Sequence, residues 1–245
     1  MHIWDTLGIA LHLDGVCNAV FLFLEVFSMT TKTRRLTESA MLLAIAIVLE
    51  LVSKTFIPPM TFGGQLTIVC MLPVVLISYR HGVKWGLVAG FTYSLIQMAL
   101  GAGTVTAAFQ PGYFGDGTMI VNALIMCVLD YVLAYTLLGF GGIFRGRIKN
   151  NGISLMCGSL VALGGRYLAH IASGYILFSG WAEWFFTQDG FPAWGASLVD
   201  ALSPEILGLT YSVVYNGMYM IPEMILTAIA AVLLARVPRI VTKIS

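Results

Sequence analysis

The residues of this chain most able to do chemistry are ionisable side chains inside long apolar stretches. In GGRYLAHIASGYILF, residues 164–178, Arg166 and His170 lie one helical turn apart, and an earlier apolar stretch contains Asp130. A charged side chain in a membrane-spanning helix costs about 2.5–3.5 kcal/mol on insertion scales, so such residues usually have a function. A carboxylate and two basic groups can bind a charged ligand, or they can form a buried ion pair that only holds helices together.

The composition places the chain in a lipid bilayer. Of its 245 residues, 58% are hydrophobic and 10% are charged, whereas about 25% of the residues of a soluble domain are charged. The net charge of +1 gives no reason to expect nucleic-acid binding. The four cysteines are far apart along the chain, which is typical of buried apolar residues and not of a metal site or a disulfide framework.

The apolar segments predict an all-α integral membrane protein with a six-helix bundle. They lie at 37–53, 65–80, 83–101, 119–141, 153–178 and 207–235. A membrane span requires roughly 20 apolar residues. The second and third segments are short and are joined by a tight turn, which predicts a helical hairpin.

The distribution of basic residues predicts the orientation of this bundle. Eleven of the 13 lysines and arginines precede the first segment, follow the sixth, or lie between segments two and three or four and five. The positive-inside rule makes these positions cytoplasmic, so both ends of the six-helix core should lie inside. The loops 54–64, 102–118 and 179–206 are then external. The aromatic residues of the last loop, including Trp181 and Trp184, form either an interfacial belt or a lid over an outward-facing site.

Residues 1–28 fit neither a membrane span nor a signal peptide. They lack a basic n-region and a small-residue cleavage site, and their apolar part is too short to cross a bilayer. We expect an atypical extension at 1–28, either upstream of a true start at Met29 or forming a short interfacial helix. Residues 29–245 should form a single membrane domain.

The rise of an α-helix places three polar residues at one depth. Asp130, His170 and Asn216 should lie roughly 17, 12 and 14 Å below the external ends of their segments. Because all three residues would lie at a similar depth in the outer half of the membrane, they predict a pocket that opens outwards. Arg166 should lie close to the depth of Asp130, so a buried ion pair remains an equal alternative. Tyr211 and Asn216 are about 140° apart around a helix, so one pocket holds both only if it wraps around that helix.

Other ionisable residues and motifs add little. Glu50 and Glu223 lie near a span end or beside Pro222, where solvation or local structure would explain them. The sequence contains no GxxxxGK[ST], HExxH or GxSxG motif. A small intramembrane enzyme that uses His170 would need a nucleophile or a metal site, and none lies in register with it.

Several stretches, in order from about Arg35 to Pro238, resemble the thiamine-specific substrate-binding subunits (S components) of energy-coupling factor (ECF) transporters. RLTESAMLLAIA resembles the first helix of that family, LDYVLAYTLLGFGGIFR the fourth, GRYLAHIASGYILF the fifth and TYSVVYNG the sixth. The resemblance implies a six-helix S component, N-in and C-in, in a bacterial plasma membrane.

The resemblance also implies a site for thiamine or a close analogue, with no cofactor. The residues that it places in the pocket are Asp130, Tyr131, His170, Phe178, Tyr211 and Asn216. Asp130 would balance the thiazolium cation, Arg166 would support Asp130, and Phe178 would stack on the ligand. Gly64 stands where the family has a pocket tryptophan, which Trp181 or Trp184 would replace.

The implied function is capture of thiamine at the outer face and its delivery inwards. The S component would dock with a membrane T component and two ATPase subunits through Ala40 and Ala44, because small residues let helices approach closely. Packing within the subunit is the alternative role for these alanines. Alternative functions are an S component for another vitamin or a thiamine precursor, a secondary carrier, and a small intramembrane enzyme.

Overall fold

A computed structural model describes residues 31–60, 64–114 and 119–237, and all its regular elements there are helical. The predictions for 1–28 lie outside these residues. The α-helices longer than one turn are α1 (Thr31–Phe56), α2 (Leu72–His81), α3 (Val83–Leu100), α4 (Ala102–Ala108), α5 (Met119–Met126), α6 (Asn151–Phe178), α7 (Ala182–Thr187), α8 (Trp194–Ala201) and α9 (Pro204–Leu234). After α5 the chain continues through a π-helix (Cys127–Leu133), one α-helical turn (Ala134–Thr136) and a 3₁₀-helix (Leu137–Gly142).

Among the described residues, four helical stretches are long and apolar enough to cross a membrane. They are Thr31–Phe56, Met119–Gly142, Asn151–Thr187 and Pro204–Leu234. A fifth crossing exists if α3 and α4, which are bent by 76° at their junction, form one broken span. The all-α membrane architecture is confirmed, whereas the six crossings and their orientation stay predictions.

The second predicted span differs from the structure. We expected it at 65–80, but α2 covers only ten residues, about 15 Å of helix. Residues 64–71, which precede α2, form no regular helix. Non-helical backbone at membrane depth is tolerated where it is buried in protein or lines a cavity. This irregular stretch is therefore expected to pack inside the protein or to border a cavity.

Glycines allow very close packing around the 3₁₀-helix that ends the Met119–Gly142 span. A Cβ built on Gly139 would lie 2.4 Å from the backbone nitrogen of Leu87 in α3. A Cβ built on Gly158 in α6 would lie 2.0 Å from the carbonyl oxygen of Gly141. These contacts need the absence of side chains, and they fix α3 and α6 against the span that carries Asp130.

The segment 179–206, predicted as an external loop, is largely helical and divides its aromatic residues between two environments. Phe185 and Phe186 of α7 are fully buried and pack against α9. Trp181, Trp184 and Trp194 are each about half exposed, at 48, 57 and 48%. The outward-facing tryptophans agree with an interfacial belt, while the buried phenylalanines cover the end of α9.

The predicted orientation can be tested by cysteine labelling in a background without native cysteines. Ser197 in α8 and Lys149, which precedes α6, are both exposed. We expect a membrane-impermeant maleimide to label Ser197→Cys in intact cells and to label Lys149→Cys only after the membrane is permeabilised. Labelling of Lys149→Cys in intact cells would contradict the orientation.

Candidate functional site

A cavity of about 240 Å³ lies between the Met119–Gly142 span, α6 and α9. Its lining residues are Asp130, His170, Ser173, Gly174, Phe178, Tyr211, Tyr215, Asn216 and Tyr219. Small-molecule sites usually measure about 300–1,000 Å³, so this cavity suits a compact ligand. Five of the six residues proposed for the pocket meet here, and Tyr131 does not.

Asp130 presents the only carboxylate among the described lining residues, and the protein holds both of its oxygens. Oδ1 lies 2.9 Å from His170 Nδ1, and Oδ2 accepts a hydrogen bond of 2.7 Å from Ser173 Oγ. Asp130 lies in the π-helix, a form that is frequent at functional sites. The contact shows that Asp130 and His170, which helix rise predicts at a similar depth, lie side by side.

His170 is oriented by Asp130 and keeps one ring nitrogen for another partner. With the carboxylate ionised, Nδ1–H donates to Asp130, so the neutral imidazole carries a lone pair on Nε2. Nε2 is buried and has no hydrogen-bond partner among the described residues. Because unpaired buried polar atoms are costly, Nε2 is suited to accept a hydrogen bond from a ligand N–H.

Asn216 joins α6 and α9 behind the cavity. Its Nδ2 donates to the backbone oxygens of Ser212 and His170, at 2.9 and 3.2 Å. Its Oδ1 accepts a hydrogen bond of 2.5 Å from the Tyr219 hydroxyl. Both ends of the amide are therefore engaged by the protein, and Asn216 positions the site more than it addresses a ligand.

A ladder of tyrosines on α9 forms one wall. Tyr211, Tyr215 and Tyr219 follow each other at four-residue spacing, with ring centroids 5.6 and 6.4 Å apart. Phe185 of α7 packs on the outer two, with ring centroids 5.1 Å from Tyr211 and 5.8 Å from Tyr215. The cavity thus wraps around a continuous α9, and this explains how it holds both Tyr211 and Asn216.

The family model described as thiamine transporter protein (Thia_YuaJ) matches residues 36–200, about two thirds of the chain. The chain belongs to this thiamine transporter family. It is 31% identical over 209 residues to the thiamine transporter ThiT of Bacillus subtilis strain 168, which covers 82% of this chain and 89% of that relative. Members of the family are transporters, so this multi-pass membrane protein is not an enzyme.

The fold also matches a solved structure. A chain of ThiT from Listeria monocytogenes superimposes with a TM-score of 0.58 and 18% identity, over 86% of this chain and 99% of the other. At that identity the match shows a common fold. It places the helices of this transporter in the same arrangement and leaves the site residues to be argued from its own geometry.

Three aromatic residues expected at the pocket of this transporter lie elsewhere. The Tyr131 side chain reaches the α3–α4 junction, where a Cβ built on Gly101 would lie 2.6 Å from its hydroxyl. Trp181 and Trp184 are half exposed and pack on each other, with ring centroids 5.8 Å apart. None of the three is among the described residues that line the cavity, so the cavity does not support their predicted place in the pocket.

Arg166 does not pair with Asp130. It is buried, its Nη2 donates to the Tyr135 hydroxyl at 3.2 Å, and its guanidinium carbon lies 4.6 Å from the centre of that ring. Its Nη1 contacts the sulfur of Met71. No ion pair within 4.0 Å joins Arg166 to Asp130 in the part of the chain that the structure describes. The structure therefore shows no buried ion pair between Arg166 and Asp130 among the described residues, and it gives no direct contact through which Arg166 would support Asp130.

Glu50 and Glu223 are buried, with 3 and 1% of their surfaces exposed, so solvation at span ends does not explain them. Glu50 accepts hydrogen bonds from the Tyr93 hydroxyl at 3.0 Å and from the Gln97 amide, and it pairs with Lys54 at 2.6 Å. This network ties α1 to α3.

The residues that sequence reasoning missed are Ser173, Tyr215 and Tyr219. Each lies one helical turn from a site residue that it did find. Ser173 follows His170 by three positions, and the two tyrosines continue the four-residue spacing from Tyr211. Helical periodicity from the first candidates could have found all three.

Proposed function

We propose that this protein is the thiamine-binding S component of an ECF importer. It captures thiamine at the outer face of the bacterial plasma membrane and releases it inwards after docking with a T component and two ATPases. The observation that carries the proposal is one carboxylate, Asp130, held at the edge of a small cavity with aromatic walls. The name of the Bacillus subtilis relative supports thiamine as the ligand.

The chemistry of thiamine fits the lining of this cavity. The thiazolium ring is a permanent cation, and the Asp130 carboxylate supplies the opposite charge. The rings of Phe178, Tyr211 and Tyr215 add aromatic faces, which attract a cation within about 6 Å of a ring centre. The aminopyrimidine ring carries an amino group that can donate to the free Nε2 of His170.

The charge of the cavity favours free thiamine over its phosphate esters. No lysine or arginine is among the lining residues, and Arg166 is engaged elsewhere. A phosphate carries a charge of about −1.5 to −2 at pH 7 and would enter without a cation to meet it. We expect calorimetry on the purified chain to show that affinity falls from thiamine to its monophosphate and then to its pyrophosphate. The dissociation constants of thiamine and the monophosphate should differ by about tenfold.

Two controls sharpen this titration. A neutral analogue in which a thiophene ring replaces the thiazolium should bind more weakly than thiamine. If titration with thiamine and with both esters gave no binding heat and no saturation, the proposed function would be contradicted. Equal affinity for thiamine and its pyrophosphate would contradict the charge argument alone.

In this proposal the ATPase subunits supply the energy, and the given sequence contains no phosphate-binding loop of the GxxxxGK[ST] type. Ala40 and Ala44 of α1 are exposed, and no described residue covers them. That exposure argues against the alternative that they pack within the subunit, and it supports a surface where another membrane protein can approach closely. Uptake by this chain without any ATPase would favour a secondary carrier instead.

A further inference from the structure

The irregular segment Gly64–Met71, between α1 and α2, is strained. Val69 has φ of +56°, the only positive φ of a non-glycine residue in the described chain. Left-handed backbone is sterically unfavourable for a β-branched residue and persists only where its surroundings enforce it. Something must therefore hold this segment in place.

Glu223 of α9 holds the middle of the segment. Its Oε1 accepts a hydrogen bond of 2.7 Å from the Thr67 hydroxyl and lies 3.7 Å from the Cys70 sulfur. The backbone of Thr67 donates to the same carboxylate. A further hydrogen bond of 2.9 Å runs from the backbone N–H of Ile68 to Ser53 Oγ in α1. The segment is thus fixed on both sides of Val69.

The first residue of the segment reaches the site. A Cβ built on Gly64 would lie 2.5 Å from the Tyr219 ring, and the Gly64 backbone is hydrogen-bonded to Tyr215. Both tyrosines line the cavity, and the Tyr219 hydroxyl holds Asn216, which in turn bonds the backbone of His170. A displaced segment would remove the support behind these side chains.

The other end of the segment meets Arg166. Met71 contacts the guanidinium, so the buried Arg166 packs against the end of the segment. Glu223 holds its middle through Thr67.

We propose that Glu223 is a positioning residue for ligand binding, which acts through Thr67 and the strained segment 64–71 on Tyr215 and Tyr219. The inference rests on the proposed function, because it concerns affinity for thiamine. Glu223 is not among the lining residues. Its hydrogen bond to Thr67 gives it a route to the cavity through the segment, and the Thr67 variants test that route separately from the helix α9 that carries both Glu223 and Tyr219.

The first variant removes the hydrogen bond between Thr67 and Glu223 and leaves Glu223 in place. Thr67→Val keeps the shape of the side chain and loses the hydroxyl, whereas Thr67→Ser keeps the hydroxyl and should rescue. The matched control is Thr227→Val, since Thr227 lies one turn from Glu223 on α9, is fully buried, and its hydroxyl has no partner among the described residues. Glu223→Gln keeps an acceptor oxygen and loses the charge.

Two readouts are needed, the dissociation constant for thiamine and the rate at which a small thiol reagent labels Cys70. Cys70 is 1% exposed and its Sγ lies 3.1 Å from the Thr67 hydroxyl. In a variant that retains Cys70 as the sole cysteine, labelling reports access to the segment, and Glu223→Gln, which leaves Thr67 in place, separates displacement from loss of that contact. We expect Thr67→Val to weaken thiamine binding and to speed labelling by about tenfold, as loss of a hydrogen bond to a charged group suggests. Glu223→Gln should also weaken thiamine binding and speed the labelling of Cys70. Thr227→Val should change neither the affinity nor the labelling rate.

The remaining outcomes separate the two proposals. Thiamine binding absent in the unmodified chain would overturn the proposed function, while the labelling rates would still test whether Glu223 holds the segment. Normal thiamine affinity in Thr67→Val and Glu223→Gln would overturn the positioning role, whether or not Cys70 became reactive.

Discussion

Asp130→Asn should weaken thiamine binding by more than tenfold, about 1.4 kcal/mol, without unfolding the protein. An asparagine can keep the local hydrogen bonds: its Oδ1 accepts from His170 and its Nδ2 donates to Ser173 Oγ. The substitution therefore removes the charge and preserves the shape. Thiamine would then enter a cavity with no anion to meet its cation. Titration calorimetry on monodisperse protein measures the change.

Two comparisons isolate the charge. Ser173→Ala removes one hydrogen bond to the carboxylate but keeps its charge, so it should cost affinity less than Asp130→Asn. The neutral thiophene analogue should bind the unmodified chain and Asp130→Asn with similar affinity. An unchanged dissociation constant for thiamine in Asp130→Asn would remove Asp130 from the site.

The sequence was sufficient to select residues that meet in one cavity, because polar groups in apolar helices are few. Asp130, His170 and Asn216 were found by depth alone, and the structure brings them together. Depth does not fix the direction around a helix, and this explains why Arg166 does not contact Asp130. That residue lies at nearly the same predicted level as Asp130 but is directed towards Tyr135.

Local departures from regular helix account for much of what the sequence could not predict. Asp130 and Tyr131 are neighbours in a π-helix, and the Tyr131 hydroxyl lies at the α3–α4 junction while Asp130 lines the cavity. Residues 64–71 are apolar enough to be taken for part of a span, yet they form an irregular segment fixed by Glu223. Hydrophobic periodicity in the sequence predicts neither the π-helix nor the irregular segment.

The largest effect on transport should come from a surface far from the ligand. Ala40 and Ala44 lie one turn apart on an exposed face of α1 that also includes Leu36 and Leu51. Small residues at a helix interface in a membrane let the backbones approach closely, and packing then supplies the contact energy. A large side chain at the same place would hold the two helices apart.

Ala44→Trp should therefore reduce thiamine uptake by at least tenfold in cells that contain the T component and both ATPases, while the purified variant binds thiamine as the unmodified chain does. Ile45→Trp is the matched control, because Ile45 is exposed but lies about 100° further around the helix. It should retain uptake. Normal uptake by Ala44→Trp would show that this face does not dock, whereas loss in both variants would point to a broader interface than these alanines define.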